Sequence, residues 1–205
     1  MGVPSLALTA AIRRSQQPIL WIALTYFFSL LAGFGMVHAQ NTFALKYRDQ
    51  LIKKASASEP SLIALDRGSP FKAAILDFAA NVCLGAVPTT IMGLGVVLPF
   101  AQVTFRGWVG GIVSVDDRHQ SRLRNAHEGA YYLSVLLLQL IPYSITGGAG
   151  VRLGLGLLLP KGRWGYPGSK RWLTLPAEGV LDVLRIYTLA VPLFLLASLF
   201  EFLAR

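Results

Sequence analysis

Charge is what this sequence has least of. Lys, Arg, Asp and Glu together make up 14% of its 205 residues, where an ordinary soluble domain carries about a quarter. Acidic residues are the scarcer half, 10 against 19 basic ones. Cysteine is nearly absent: Cys83 stands alone, which excludes a disulfide framework or a cysteine-based zinc site within one chain. Histidine occurs three times, at His38, His119 and His127. Phosphate-binding glycine loops, a G-x-S-x-G elbow and an H-E-x-x-H zinc helix are all missing, so a catalytic centre of the soluble type has no visible support.

What is present is apolar. Hydrophobic residues reach 54%, mean hydropathy is +0.53, and the apolar residues come in long runs. That pattern predicts an all-α fold, a polytopic transmembrane helical bundle, since a helix needs about 20 apolar residues to cross a bilayer core of roughly 30 Å. The net charge of +9 does not indicate a nucleic-acid partner. The basic residues lie between the apolar runs, where positive charge collects beside anionic headgroups, and no nucleic-acid-binding motif accompanies them.

Residues 1–205 read as one membrane domain with about five spans, near 19–38, 71–87, 90–115, 130–159 and 179–203. The first span resembles a signal peptide, with Arg13-Arg14 before it and Val37-His-Ala39 after it; its length favours a retained helix. Residues 43–55 place Phe43, Tyr47 and Leu51 at helical spacing among Lys46, Arg48, Asp49, Lys53 and Lys54, which predicts an amphipathic segment at the interface. Charge bias favours the N-terminus inside, although bases occur on both sides. Proline and glycine interrupt the apolar runs at 88–99 and at Pro142 and Gly147-Gly148, which predicts broken, glycine-rich helices.

Few residues stand out as candidate sites. Asp77 and Asn81 share a helical face; an acid within an apolar span faces a bundle interior or a wet cavity, and the competing reading is a structural hydrogen-bonded pair. Arg106 and Arg152 are isolated cations that could pair with Asp77, Glu201 or a lipid phosphate. Arg152 is expected to find polar company at the break after Gly147-Gly148. His127 and Glu128 are adjacent, so they point to different helix faces, and a capping role is favoured over metal binding. Ligation of a pigment or haem by a lone histidine is a minor alternative. Gly150 and Gly154 are spaced for close helix packing.

Four stretches resemble the stage II sporulation protein M family of integral membrane proteins. These are Phe78-Ala-Ala-Asn81 with its glycine-rich continuation, Gln139 through Gly154 (QLIPYSITGGAGVRLG), the basic loop that follows, and Val191 through Leu203 with Glu201 near its end. Where the family signature carries a histidine and a glutamate, this chain has Val135 and Gln139. The resemblance covers roughly residues 19–203. It implies a bacterial inner-membrane, multi-pass protein without catalysis or cofactor, acting as a scaffold or accessory subunit beside other membrane proteins and lipids, with homo-oligomer formation possible. The residues that the sequence marks for structure, partner contact or a possible polar site are Asp77, Asn81, Gln139, Gly147, Gly148, Gly150, Arg152, Gly154 and Glu201. The second reading is a small permease-like component with a polar site at broken helices, lined by Asp77, Asn81, Gln139 and Arg152. A membrane-embedded hydrolase ranks behind both.

Overall fold

The computed structural model describes residues 4–166 and 172–204. Helices α1 (Pro4–His38), α7 (Ala126–Leu158) and α8 (Ala177–Leu203) are long and continuous. Between them lie α2 (Thr42–Ser58), α3 (Pro60–Asp66), α4 (Pro70–Ala80), α5 (Val87–Met92) and α6 (Leu98–Ile112). A π-helical turn, Asn81–Ala86, joins α4 to α5 without a break in direction, and a 3-10 turn, Gly93–Gly95, ends that unit. Among the described residues, four helices are long and apolar enough to cross a membrane: Ala7–His38, Pro70–Gly95, Ala126–Leu158 and Ala177–Leu203.

The expected span 90–115 is divided. Its first residues complete the second long helix. The chain then turns at Val96, whose φ of 59° is a costly conformation for a β-branched residue. The remainder forms α6, 15 residues long, or about 22 Å at 1.5 Å per residue. That is short of a full bilayer core.

The expected break in 130–159 is absent. Helix α7 runs through Pro142 and Gly147-Gly148 as one 33-residue element. The physical reason is its position. Of its most apolar window, 61% is inside the bundle, against 17%, 22% and 28% for the other three long helices. An interrupted helix there would leave buried carbonyls and amides without partners. Glycine instead lets neighbouring backbones come close. A Cβ on Gly148 would lie 2.5 Å from Ile19 Cα of α1, and one on Gly150 2.5 Å from the Thr90 carbonyl oxygen of α5. Gly154 meets the Gly93 carbonyl in the same way.

Residue pairs give the directions. Arg14 and Ile19 of α1 meet Arg152 and Gly148 of α7, so α1 and α7 are antiparallel. Asn81 meets Tyr143, and Thr90 meets Thr146, so the α4–α5 unit runs parallel to α7. Tyr26, Leu30 and Gly33 of α1 pack on Gly107, Gly111 and Trp108 of α6, a parallel seam. Tyr143 packs on Phe194, and Gln139 meets Glu201, so α8 returns antiparallel to α7. One end of the bundle therefore carries α2, α3 and the 113–125 loop. The other carries the start of α1 and the 159–166 segment.

Helix α2 lies across the first of these ends. Asn41 caps it by accepting from the Ala44 amide at 3.1 Å. Ala44, Leu45 and Arg48 are buried against Val37, Ile112 and Val115, while Phe43 stays exposed. The buried Arg48 guanidinium donates to Asp49 at 2.9 Å, to Asp117 at 2.8 Å and to the Val115 carbonyl at 3.2 Å. Its charge, together with His119 at 3.0 Å, holds the Asp49 carboxyl below the usual carboxylate range.

Candidate functional site

Three of the resembling stretches converge on the α2–α3 half of α7. Asn81 donates to Asp77 at 2.8 Å, one turn apart on α4 and the π turn. Ser198 of α8 donates to the same carboxylate oxygen at 2.7 Å. The Tyr143 hydroxyl donates to Asn81 at 2.6 Å, and Arg106 of α6 donates to that hydroxyl at 2.9 Å. The Arg106 guanidinium carbon also sits 4.3 Å from the centre of the Tyr143 ring, within cation–π range. Donors thus run in one direction from Arg106 to Asp77, across four elements. Each step aligns the dipole of the next, and the chain couples a cation to an anion that it does not touch.

Beside this chain, Gln139 donates to Glu201 at 2.7 Å, and the Tyr131 hydroxyl donates to the Glu201 backbone carbonyl. Gln139, Tyr143, Arg106, Gln102, Tyr26 and Glu201 line the inner part of a cavity of about 980 Å³. Its outer part is walled by Leu51, Ile52 and Ser56 of α2, by Glu59, by Leu62 and Leu65 of α3, and by Asp117 and Arg122. The chamber therefore opens toward the α2–α3 end. Its size lies within the range of small-molecule sites.

The candidate residues divide into three groups. Gln139 and Glu201 line the chamber; Asp77 and Asn81 stand behind its wall and reach it through Tyr143. Gly147, Gly148, Gly150 and Gly154 set helix spacing, with Gly147 in ordinary contact with Ile22 and Thr89. Arg152 belongs to the opposite end of the bundle, so the polar site expected from Asp77, Asn81, Gln139 and Arg152 together does not form.

Arg152 has a different task. Pro18 lacks an amide hydrogen, so the Arg14 carbonyl four residues earlier has no helical donor. Arg152 Nε donates to that carbonyl at 3.1 Å, and Nη1 donates to the Trp164 carbonyl at 2.6 Å. Its guanidinium carbon lies 4.1 Å from the centre of the Tyr166 ring. It pairs with neither Asp77 nor Glu201 and does not need a break in its own helix.

The same end holds an ion-pair network that the sequence did not reveal. Arg14 donates to both oxygens of the buried Asp182, at 2.6 and 2.5 Å, and to Glu178 at 3.1 Å. Arg185 donates to Glu178 at 2.7 Å and to Asp182 at 3.0 Å. Glu178, Asp182 and Arg185 lie about one turn apart on α8, and only the partner from α1 comes from a distant segment. Among the histidines, His38 stacks on Phe34 with ring centres 3.9 Å apart, and His119 contacts Asp49. At the start of α7 the His127 amide donates to the capping Asn125 at 2.9 Å. Among the described residues, no cluster of three or more His, Cys, Asp or Glu side chains forms a metal site.

No family model, no curated protein and no solved structure matches this chain.

Proposed function

We propose that this chain is a non-catalytic scaffold or accessory subunit of a larger assembly in a bacterial inner membrane, similar to stage II sporulation protein M. The observation that carries the proposal is the meeting of stretches far apart in sequence that bear the resemblance. Two contacts between the resembling stretches, Asn81 with Tyr143 and Gln139 with Glu201, thus support the likeness. In this reading the short α6 is a fifth crossing, held against α1 by Gly33, Gly107 and Gly111.

Among the described residues, Lys46, Arg48, Lys53, Lys54, Arg67, Lys72, Arg118, Arg122 and Arg124 belong to the α2–α3 end. Arg13, Arg14, Lys161, Arg163 and Arg185 belong to the other. Basic residues therefore flank the bundle at both ends. The scaffold reading is tested by extracting the tagged protein from native membranes in several mild detergents. A stoichiometric membrane-protein partner supports it; recovery only as free monomer in every detergent refutes it.

One observation favours the permease-like reading in second place. The 980 Å³ chamber contains an arginine and a glutamate within an apolar bundle, where ionisable groups mark ligand or ion pathways.

A further inference from the structure

The two ends of the bundle differ in how their charges are satisfied. At the end formed by the start of α1 and the 159–166 segment, Glu178 and Asp182 are the only acids among the described residues. Both are already taken. Arg14 pairs with them at 3.1 and 2.5 Å, and Arg185 at 2.7 and 3.0 Å. Arg13, Lys161 and Arg163 stand exposed at the same end and form no ion pair among the described residues. At the α2–α3 end, by contrast, the bases are interspersed with Asp49, Glu59, Asp66, Asp116 and Asp117.

The unpaired bases share one corner. Arg152 donates to the Arg14 carbonyl at 3.1 Å and to the Trp164 carbonyl at 2.6 Å, so one guanidinium ties together the chain neighbours of Arg13 and of Arg163. Arg152 is itself buried and without an ion pair among the described residues, which adds positive potential behind the corner. The Arg163 guanidinium carbon lies 4.6 Å from the centre of the Trp164 ring, and that ring lies 5.8 Å from the ring of Trp21 on α1. Beside the corner the surface turns apolar. Arg13, Gln17, Leu20, Leu24 and Phe28 follow one another at helical spacing on the outer face of α1, and all are exposed. Leu20 to Phe28 spans about 12 Å at 1.5 Å per residue, most of one leaflet's half of a core roughly 30 Å thick.

A free anion would use the bases and leave the apolar strip and both tryptophans unused. An acidic soluble surface would do the same. An anionic phospholipid uses all three: bases bind its phosphate with charge-assisted bonds, tryptophans suit the level between headgroup and chain, and the strip accepts a chain. We propose that this corner is a docking site for an anionic phospholipid of the phosphatidylglycerol class, with its phosphate at Arg13, Lys161 and Arg163 and an acyl chain along α1. The proposal rests on the bundle lying in a bilayer, not on the scaffold reading, and holds for either orientation.

The test uses the full-length protein in nanodiscs of equal phosphatidylglycerol and phosphatidylcholine, with native mass spectrometry counting the lipids retained on release. Phosphatidylglycerol should exceed phosphatidylcholine by about fivefold or more, the factor that one base contributes beside an anionic surface. Arg13→Gln/Lys161→Gln/Arg163→Gln should bring the two lipids to parity, whereas Arg13→Lys/Arg163→Lys, which keeps the charge, should keep most of the excess. Lys46→Gln/Lys53→Gln/Lys54→Gln on α2 is the matched control and should also keep it. All the substituted side chains are exposed, so every variant should melt like the parent. Glycerol 3-phosphate, the headgroup without chains, should displace no lipid. The proposal is overturned by parity in the parent, by an unchanged excess in the corner variant, or by equal loss in the α2 control. Displacement by glycerol 3-phosphate would assign a free-anion site and overturn it as well. Parity in the parent together with capture of an acidic protein that the corner variant loses would give the corner to that protein instead. Capture of a partner by the parent and the corner variant alike reads the scaffold hypothesis separately.

Discussion

Replacing Gly150 by alanine adds one methyl group at the closest approach of α7 to α5. The new Cβ would stand 2.5 Å from the Thr90 carbonyl oxygen, 2.8 Å from Thr90 Cα and 3.0 Å from its carbonyl carbon. All three are backbone atoms, so no side chain can rotate away. To reach ordinary contact at 3.4 Å, the helices must separate by about 0.9 Å. Overpacking of this kind costs about 1–3 kcal/mol. Alanine returns up to about 1 kcal/mol through helix propensity, which leaves a net loss of about 1–2 kcal/mol. For a chain of this length, that lowers Tm by about 3–6 °C. Gly35→Ala is the matched control, because nothing lies within 4 Å of its Cβ position. It should be neutral or slightly stabilising. The assay is thermal aggregation of the detergent-purified protein followed by size-exclusion fluorescence. Equal melting of Gly150→Ala and Gly35→Ala would refute the α5–α7 close contact.

Three further outcomes follow from the same geometry. Asp182→Ala leaves Arg14 without its bidentate partner; loss of a partner in a buried pair costs about 3–5 kcal/mol, and the partial exposure of Arg14 puts the expected loss at the lower end, read as a fall in Tm. Pro18→Ala returns an amide donor to the Arg14 carbonyl, so the cost of Arg152→Gln should shrink by about 1 kcal/mol in that background; a double-mutant cycle without coupling refutes this role for Arg152. The third concerns pH. The folded Asp49 carboxyl is held low, so its contribution is present above the unfolded value, near 4, and is lost as pH falls through the folded value. Limited proteolysis of α2 should therefore quicken below about pH 4, and Asp49→Asn should flatten that dependence; an unchanged profile counts against the Arg48–Asp49–His119 contact.

Local features were legible in the sequence. Apolar runs identified the long helices, and the i, i+4 spacing of Asp77 and Asn81 predicted a shared face, which the hydrogen bond between them occupies. The periodicity of Phe43, Tyr47 and Leu51 marked α2. Other features depend on contacts between distant segments, which periodicity does not encode. The pairing of Gln139 with Glu201 and of Arg14 with Asp182 required knowing how α7, α8 and α1 meet. The break expected at Gly147-Gly148 failed because intrinsic helix propensity is a weak prior once a helix is buried on nearly every face. Arg106 was seen as a lone cation, and its bond to Tyr143, which leads on to Asn81, depends on how α6 meets α7. One long-range contact did leave a local trace. Pro18 stands four residues after Arg14, and the carbonyl it frees called for a donor from elsewhere.

The most direct test of the architecture is one-sided access to the chamber. In a Cys83→Ser background, single cysteines at Gln102, Gln139 and Ala149 are challenged with a membrane-impermeant thiol reagent in oriented vesicles. The account predicts that Gln102→Cys and Gln139→Cys react only from the α2–α3 face, while Ala149→Cys, buried between helices, reacts from neither. Labelling of the chamber positions from the opposite face, or their protection from both, would contradict it.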